Sequence, residues 1–282
     1  MLHLVAAVVS WLGAAPVLRD APRASSSRLA VAMSAGASSA ELIGIEDFAR
    51  SNPMSDRFDV IGFHHVELYC ADATSAASRF CHALGMDLVA RSDPTTGNPH
   101  CCSLVALSSE VRFVFTAPLP APPDEDAGAA PPGFGRDVAR AFVDTHGGLA
   151  VRAVCIQVAD ARAAYRACVD GGGASVLPPC ELREAGTAEG MVAEVELYGD
   201  VVLRLVELDP SWRADHLPGY AAIPPPDGGR PPTYGIERVD HVVGNVYEML
   251  PTVNRLKAMT GALSLWAVVV VRSRSRCELL WW

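Results

Sequence analysis

From Phe58 onward, apolar and polar positions follow two alternating rhythms. The run "VIGFHHVELYC" (60–70) has the β-branched and aromatic content of a strand. "DATSAASRFCHAL" (72–84) then switches to a helical period, with Asp72 placed as N-cap and Gly85 as terminator. "DLVARSD", "CCSLVALS" and "VRFVFTAP" predict three more strands, so the unit is β-α-β-β-β. A proline-rich acidic span, "APLPAPPDEDAGAAPPGFG" (117–135), reads as a surface loop, because proline removes backbone donors and the charges require water. After a short helical piece at "RDVARAFVDTHGG" the unit restarts. It gives strand "VRAVCIQVA", helix "DARAAYRACVDGGG", and strands "ASVLPPCEL", "MVAEVELYGD" and "VVLRLVEL". A second Pro/Gly-rich span (209–235) precedes a third start, "IERVDHVVGNV" followed by the helical "YEMLPTVNRLKAMTG".

These units are an internal repeat. "CADA" at 70–73 recurs as "VADA" at 158–161, and the helix-ending glycines 85, 173 and 261 share the same spacing of 88 residues. The strand position of His65 then falls on Ala153 and on His241. The chain therefore holds two full modules and the start of a third. One module cannot bury its sheet face alone. The expected fold class is α+β, with paired β-α-β-β-β modules forming a curved mixed sheet, and a second pair that is incomplete. The boundaries drawn are a leader at 1–50, a module pair at 51–210, a linker at 211–234, and the opening of a further unit at 235–282.

Composition narrows the partners. A formal charge of -9 gives no basic footprint for nucleic acid. The eight cysteines (70, 81, 101, 102, 155, 168, 180 and 277) form no C-x-x-C pair and sit among apolar neighbours, which reads as reduced core thiols. "MLHLVAAVVSWLGAA" (1–15) has the length of a signal-peptide core and is too short to span a bilayer. The Ser, Ala and Arg-rich stretch after it is transit-like. Together they suggest bipartite plastid targeting, with a plain cytoplasmic protein as the alternative and no stable membrane association.

Histidines carry the candidate chemistry. His64 and His65 are neighbours on a strand, so only one is expected to face the sheet interior, and the repeat selects His65. Its counterpart is Ala153, and Arg204 stands in the closing strand where a carboxylate would be needed for an iron site. His65 is therefore expected to be a hydrogen-bonded, half-buried structural residue. His241 is in phase with it but opens a new module. His3, His82, His100, His146 and His216 lie in leader, helix or loop and receive no role.

The segments "RFDVIGFHHVELYCADATSAASRF", "GLAVRAVCIQVADARAAYRA", "AEVELYGDVVLRLV", "HLPGY" and "GIERVDHVVGNVYEM" occur in an order that resembles the 4-hydroxyphenylpyruvate dioxygenases, plant and algal members most. The resemblance covers about 58–263. It implies a two-domain vicinal oxygen chelate fold whose first module pair is non-catalytic and whose second holds Fe(II). It also implies a non-haem Fe(II) oxidoreductase that turns a small aromatic 2-oxo acid, 4-hydroxyphenylpyruvate, and O2 into homogentisate and CO2. His241 would be the first iron ligand and Val243 would lie beside the substrate. The family's second histidine, its glutamate and its pocket residues belong beyond Gly261. "ALSLWAVVVVRSRSRCELLWW" offers no counterpart. The expectation is a truncated or misassembled second domain, two ligands absent, and no turnover by these 282 residues. The alternatives are a non-catalytic binding module of the same fold or a hydroxymandelate synthase-like dioxygenase. A homo-oligomer stays open.

Overall fold

A computed structural model describes residues 5–11, 57–121, 130–184, 187–212, 216–225, 233–246, 248–261 and 278–281. Most of the leader, the acidic part of the proline-rich loop and residues 262–277 lie outside the described residues. After strand β1 (Val5–Trp11) comes the first module: β2 (Val60–Cys70), α1 (Ala73–Leu84), β3 (Asp87–Ser92), β4 (Cys101–Ser108) and β5 (Val111–Pro118). Helix α2 (Arg136–Thr145) connects it to the second: β6 (Leu149–Val158), α3 (Ala161–Asp170), β7 (Ser175–Glu184), β8 (Thr187–Tyr198) and β9 (Val201–Leu208). The short β10 (Ala221–Ala222), then β11 (Ile236–Val246), α4 (Met249–Thr260) and β12 (Glu278–Trp281) complete the order.

The two modules form one nine-stranded sheet in the order β10-β3-β4-β5-β2-β6-β9-β8-β7. Each half reads outward from its first strand in the same way, and the halves meet where β2 and β6 pair antiparallel. β2 pairs parallel with β5, and β6 with β9, so the sheet is mixed as expected. The helices start where the sequence places their caps. The Asp72 side chain accepts from the backbone of Thr74 and Ser75, and Asp160 accepts from Ala163. Their buried faces are small: Ala73, Ala76 and Ala77 on α1, and Ala161, Ala164 and Cys168 on α3. Small faces let both helices lie close on the sheet, where Phe80 meets Phe115 edge-on at 4.8 Å.

Alternation along β2 divides the two faces. Val66, Leu68 and Cys70 join the main core under the helices, whereas Tyr69 belongs to a separate cluster beneath α2. A break in the alternation recurs at an equivalent place in each first strand. Against β6, the partners of Phe63 and His65 are Ile156 and Cys155, so His64 is an extra residue. Against β2, Ala153 and Val151 pair with Glu67 and Leu68, which makes Arg152 extra. Against β1, His241 and Val239 pair with Val8 and Val9, which makes Asp240 extra. Positions 64, 152 and 240 are one repeat length apart, so the β-bulge is itself part of the repeat.

The third module packs on the helix side. Val242, Val246, Leu256 and Met259 enter the main core. The contact is close because glycines permit it. A Cβ on Gly171 would stand 2.1 Å from the Ala258 carbonyl oxygen, and one on Gly244 would stand 2.7 Å from the Tyr198 ring. β11 is the middle strand of a second, three-stranded sheet, β1-β11-β12. The expected leader and the expected tail thus each contribute one strand beside it. The span after β9 returns across the first module, where Ala221 and Ala222 pair with Arg91 and Ala90. No helix among the described residues is long and apolar enough to cross a membrane.

Candidate functional site

His241 sits on β11 with its Nδ1 2.8 Å from Asp240 Oδ2. The bulge at Asp240 brings these consecutive side chains together. Val243 shares the face of His241 and is buried, while Val242 and Gly244 turn the other way. They line an apolar cavity of about 30 Å³ with Phe63, Ile156, Tyr198 and Leu203, room for roughly one water. It is a packing gap rather than a substrate pocket.

A denser polar site lies on the opposite side, inside the nine-stranded sheet. Its centre is the Arg204 guanidinium from β9. Nε is 2.7 Å from Glu194 Oε1 on β8, and one terminal nitrogen is 2.7 Å from Glu67 Oε2 on β2. The same nitrogen donates to His65 Nε2 at 3.2 Å. Thr116 donates to Glu67 Oε1 at 2.6 Å and lies 2.8 Å from Ser103. Burial alone would lower the Arg204 pKa, but Glu67 and Glu194 overcome it and hold the charge more firmly than usual. A buried cation with two hydrogen-bonded carboxylates is stable as a set and costly to break singly.

Three imidazoles adjoin this network. His64 Nδ1 and His65 Nδ1 are 2.7 Å apart. The His216 ring, carried by the returning span, lies 5.0 Å from His65 and 5.6 Å from His64 between centroids. Burial first, then the positive charges of Arg112 and Arg204, lowers His64 to about 3. His65 and His216 are also driven well below the ordinary histidine value, burial again the largest cause. All three rings are neutral near pH 7. Because His65 Nε2 accepts from Arg204, its proton sits on Nδ1 and is donated to His64.

Several expectations need correction. His64 and His65 do not face opposite sides: the bulge turns both inward, and His65 is fully rather than half buried. His216 is not a loop residue without a role, because its backbone segment folds over the interior and seats the ring against His64 and His65. His146 also meets a carboxylate, Asp200 Oδ2 at 2.7 Å. Arg204 stands where a carboxylate had been sought and brings two acids to itself. Glu67 and Glu194 were missed, although both left a trace. Glu67 lies two residues from His65 on the same face, and the "YGDV" turn sets Glu194 opposite Arg204 across the β8–β9 hairpin. The seven described cysteines are free, and burial raises Cys70 and Cys168 to about 12, so none is an activated nucleophile.

The architecture and inward-facing polar centre place the chain in a class. Residues 62–196 match the model of the Glyoxalase/Bleomycin resistance protein/Dioxygenase superfamily. Within it, the chain is a homologue of the 4-hydroxyphenylpyruvate dioxygenases. It is 47% identical over 221 residues to that of Plectranthus scutellarioides, covering 78% of this chain and 50% of the relative. It is 43% identical over 222 residues to that of Daucus carota, covering 78% and 49%. The chain thus spans about half the length of the curated relatives it matches. Among solved structures, a mutant 4-hydroxymandelate synthase from Streptomyces coelicolor aligns at 26% identity and a TM-score of 0.45, covering 60% of this chain and 43% of that one.

The resemblance implies iron at His241, and the described residues do not complete that centre. Among them, the one group of three or more His, Cys, Asp or Glu side chains close enough to share an ion is His64, His65 and His216. His241 is outside it. The described residues offer His241 as a single imidazole, held by Asp240 in the manner of a supported metal ligand.

Proposed function

We propose that this protein works as a 4-hydroxyphenylpyruvate dioxygenase, an Fe(II)-dependent oxidoreductase that converts 4-hydroxyphenylpyruvate and O2 to homogentisate and CO2. The observation that carries the reading is the 47% identity to the Plectranthus scutellarioides 4-hydroxyphenylpyruvate dioxygenase over 221 residues. In this reading His241 is the first iron ligand and Val243 lies beside the substrate. Asp240 accepts the Nδ1 proton of His241, which leaves Nε2 as the metal-facing nitrogen. Residues 51–210 form the non-catalytic pair, since Arg204 takes up both buried carboxylates of its interior and leaves none for an iron centre. The proposed compartment is plastid or cytoplasm. Residues 1–50 fused to a fluorescent protein would separate the two, plastid import supporting the targeting reading.

The test pairs His241 with the full ligand set of a relative. Residues 1–261 are joined to the portion of the Plectranthus scutellarioides enzyme that follows its equivalent of Gly261, then loaded with Fe(II) and ascorbate. Products are resolved by chromatography. Homogentisate formation that is lost in His241→Ala supports the reading. A folded chimera that forms no homogentisate, forms hydroxymandelate instead, or keeps activity in His241→Ala overturns it.

A further inference from the structure

We propose that His64, His65 and His216 bind one divalent transition-metal ion of the kind imidazole prefers, Zn2+, Co2+, Ni2+ or Cu2+, and that the ion fastens the span 209–225 to β2. This site is separate from His241 and stands whether or not the dioxygenase reading does.

The ligand nitrogens of the three buried residues already lie within 4.8 Å of one another. They come from distant parts of the chain. His64 and His65 reach the same side through the β2 bulge, and His216 comes from the span that crosses the first module before β10. A tetrahedral ion with nitrogens at about 2.0–2.1 Å needs them about 3.3 Å apart, so the set must contract. The His64 and His65 Nδ1 atoms, 2.7 Å apart, must instead open slightly. The travel falls to His216, whose neighbours tie the segment to the sheet through Leu217, the Gly219 N–H on Glu184 and the short β10.

His216 Nδ1 is the second sign. It is buried with no hydrogen-bond partner, so its desolvation is uncompensated. Neutral imidazoles are the form that ligates a metal, and burial keeps all three neutral. On binding, the His65 proton moves from Nδ1 to Nε2, so the ring stays neutral, and the Arg204 nitrogen that had donated to His65 Nε2 keeps its contact with Glu67 Oε2.

The surrounding charge is less adverse than two nearby arginines suggest. Arg204 is countered by Glu67 and Glu194, a set with net charge -1, leaving Arg112 as the opposing cation. Because Arg204 occupies both carboxylates, the shell offered to the ion is imidazole only. Three neutral nitrogens with no carboxylate suit Zn2+ or its d-block neighbours rather than Mg2+ or Ca2+.

The test uses the untagged, metal-stripped 282-residue chain titrated with Co2+. Visible absorption reports the coordination and elemental analysis the stoichiometry. The expected result is one equivalent with the intense d–d bands of low-coordinate Co2+. His216→Phe should lose those bands with its circular dichroism unchanged, while His241→Ala keeps them. Zn2+ should also slow proteolysis within 209–225 at least several-fold in the parent chain, and not in His216→Phe. If His216→Phe does not fold, His64→Gln carries the same comparison. The proposal is overturned if the parent chain retains no Co2+, if a folded triad variant binds as the parent does, or if His241→Ala abolishes the signal.

Discussion

β2 and β11 are equivalent strands two repeats apart, with the same bulge and two very different pairs at its tip. On β2 the bulged residue is His64 and its neighbour His65. Both are sealed inside the nine-stranded sheet beside Arg204. On β11 the bulged residue is Asp240 and its neighbour His241, with the acid exposed and the imidazole partly so. One bulge geometry thus yields an imidazole–imidazole contact in one place and a carboxylate–imidazole contact in the other, at 2.7 and 2.8 Å. A bulge makes two consecutive side chains neighbours; what surrounds them decides the chemistry. The β2 pair faces a permanent guanidinium and is joined by a third buried imidazole, His216. The β11 pair has a carboxylate behind its imidazole, the arrangement of a metal ligand.

The strongest way to break the comparison is to remove the guanidinium. Arg204→Met should cost about 3–5 kcal/mol in urea unfolding, because Glu67 and Glu194 are left buried without their counter-charge. Adding Glu67→Gln and Glu194→Gln to that variant should recover much of the loss. Unchanged stability in the single variant would show that the ionic centre does not organise the sheet.

Acid should come next in size. His64, His65 and His216 have folded-state pKa values far below the unfolded value of 6.5, so the unfolded chain binds more protons below that point. Their contribution is complete above pH 6.5 and is lost as pH falls from there toward about 3, the value for His64. Between pH 6.5 and 5.5 the three together should cost about 3 kcal/mol. Urea midpoints across that range should flatten by about a third in His216→Phe; an identical slope would remove this ring from the account.

A smaller effect probes the seat of the third module. Gly171→Ala places a methyl 2.1 Å from the Ala258 carbonyl oxygen, a backbone atom that cannot swing aside. The expected loss is about 1–3 kcal/mol, with faster amide exchange along α4 than along α1. The smallest concerns the caps. Asp72, Asp160 and Glu248 are equivalent by the repeat, yet Glu248 makes no side-chain cap bond. Glu248→Asp should stabilise by about 0.5–1 kcal/mol, read as a rise in midpoint; a fall would mean that α4 is positioned by its packing alone.

Much of the fold was legible because the repeat is written in local signals. Asp72, Gly85 and their counterparts set helix ends, and the strands between them alternate as sheets require. The bulge was not legible. His64 and His65 have the spelling of an ordinary strand, and only pairing against β6 reveals that one residue is extra. His216 was hidden for a related reason, since a Pro/Gly-rich span says nothing about where it returns.

By itself, then, the sequence determined the module, its repeat length, the pairing of modules and the phase that links His65 to His241, all consequences of short-range periodicity and turn chemistry. Tertiary structure alone decided that His64, His65 and His216 share one interior and that Arg204 gathers Glu67 and Glu194. It also decided that β11 turns Val242 inward and His241 away. Those facts depend on register and on chain return over long separations, where a shift of one residue reverses a side chain's face and leaves the local pattern of apolar positions almost unchanged.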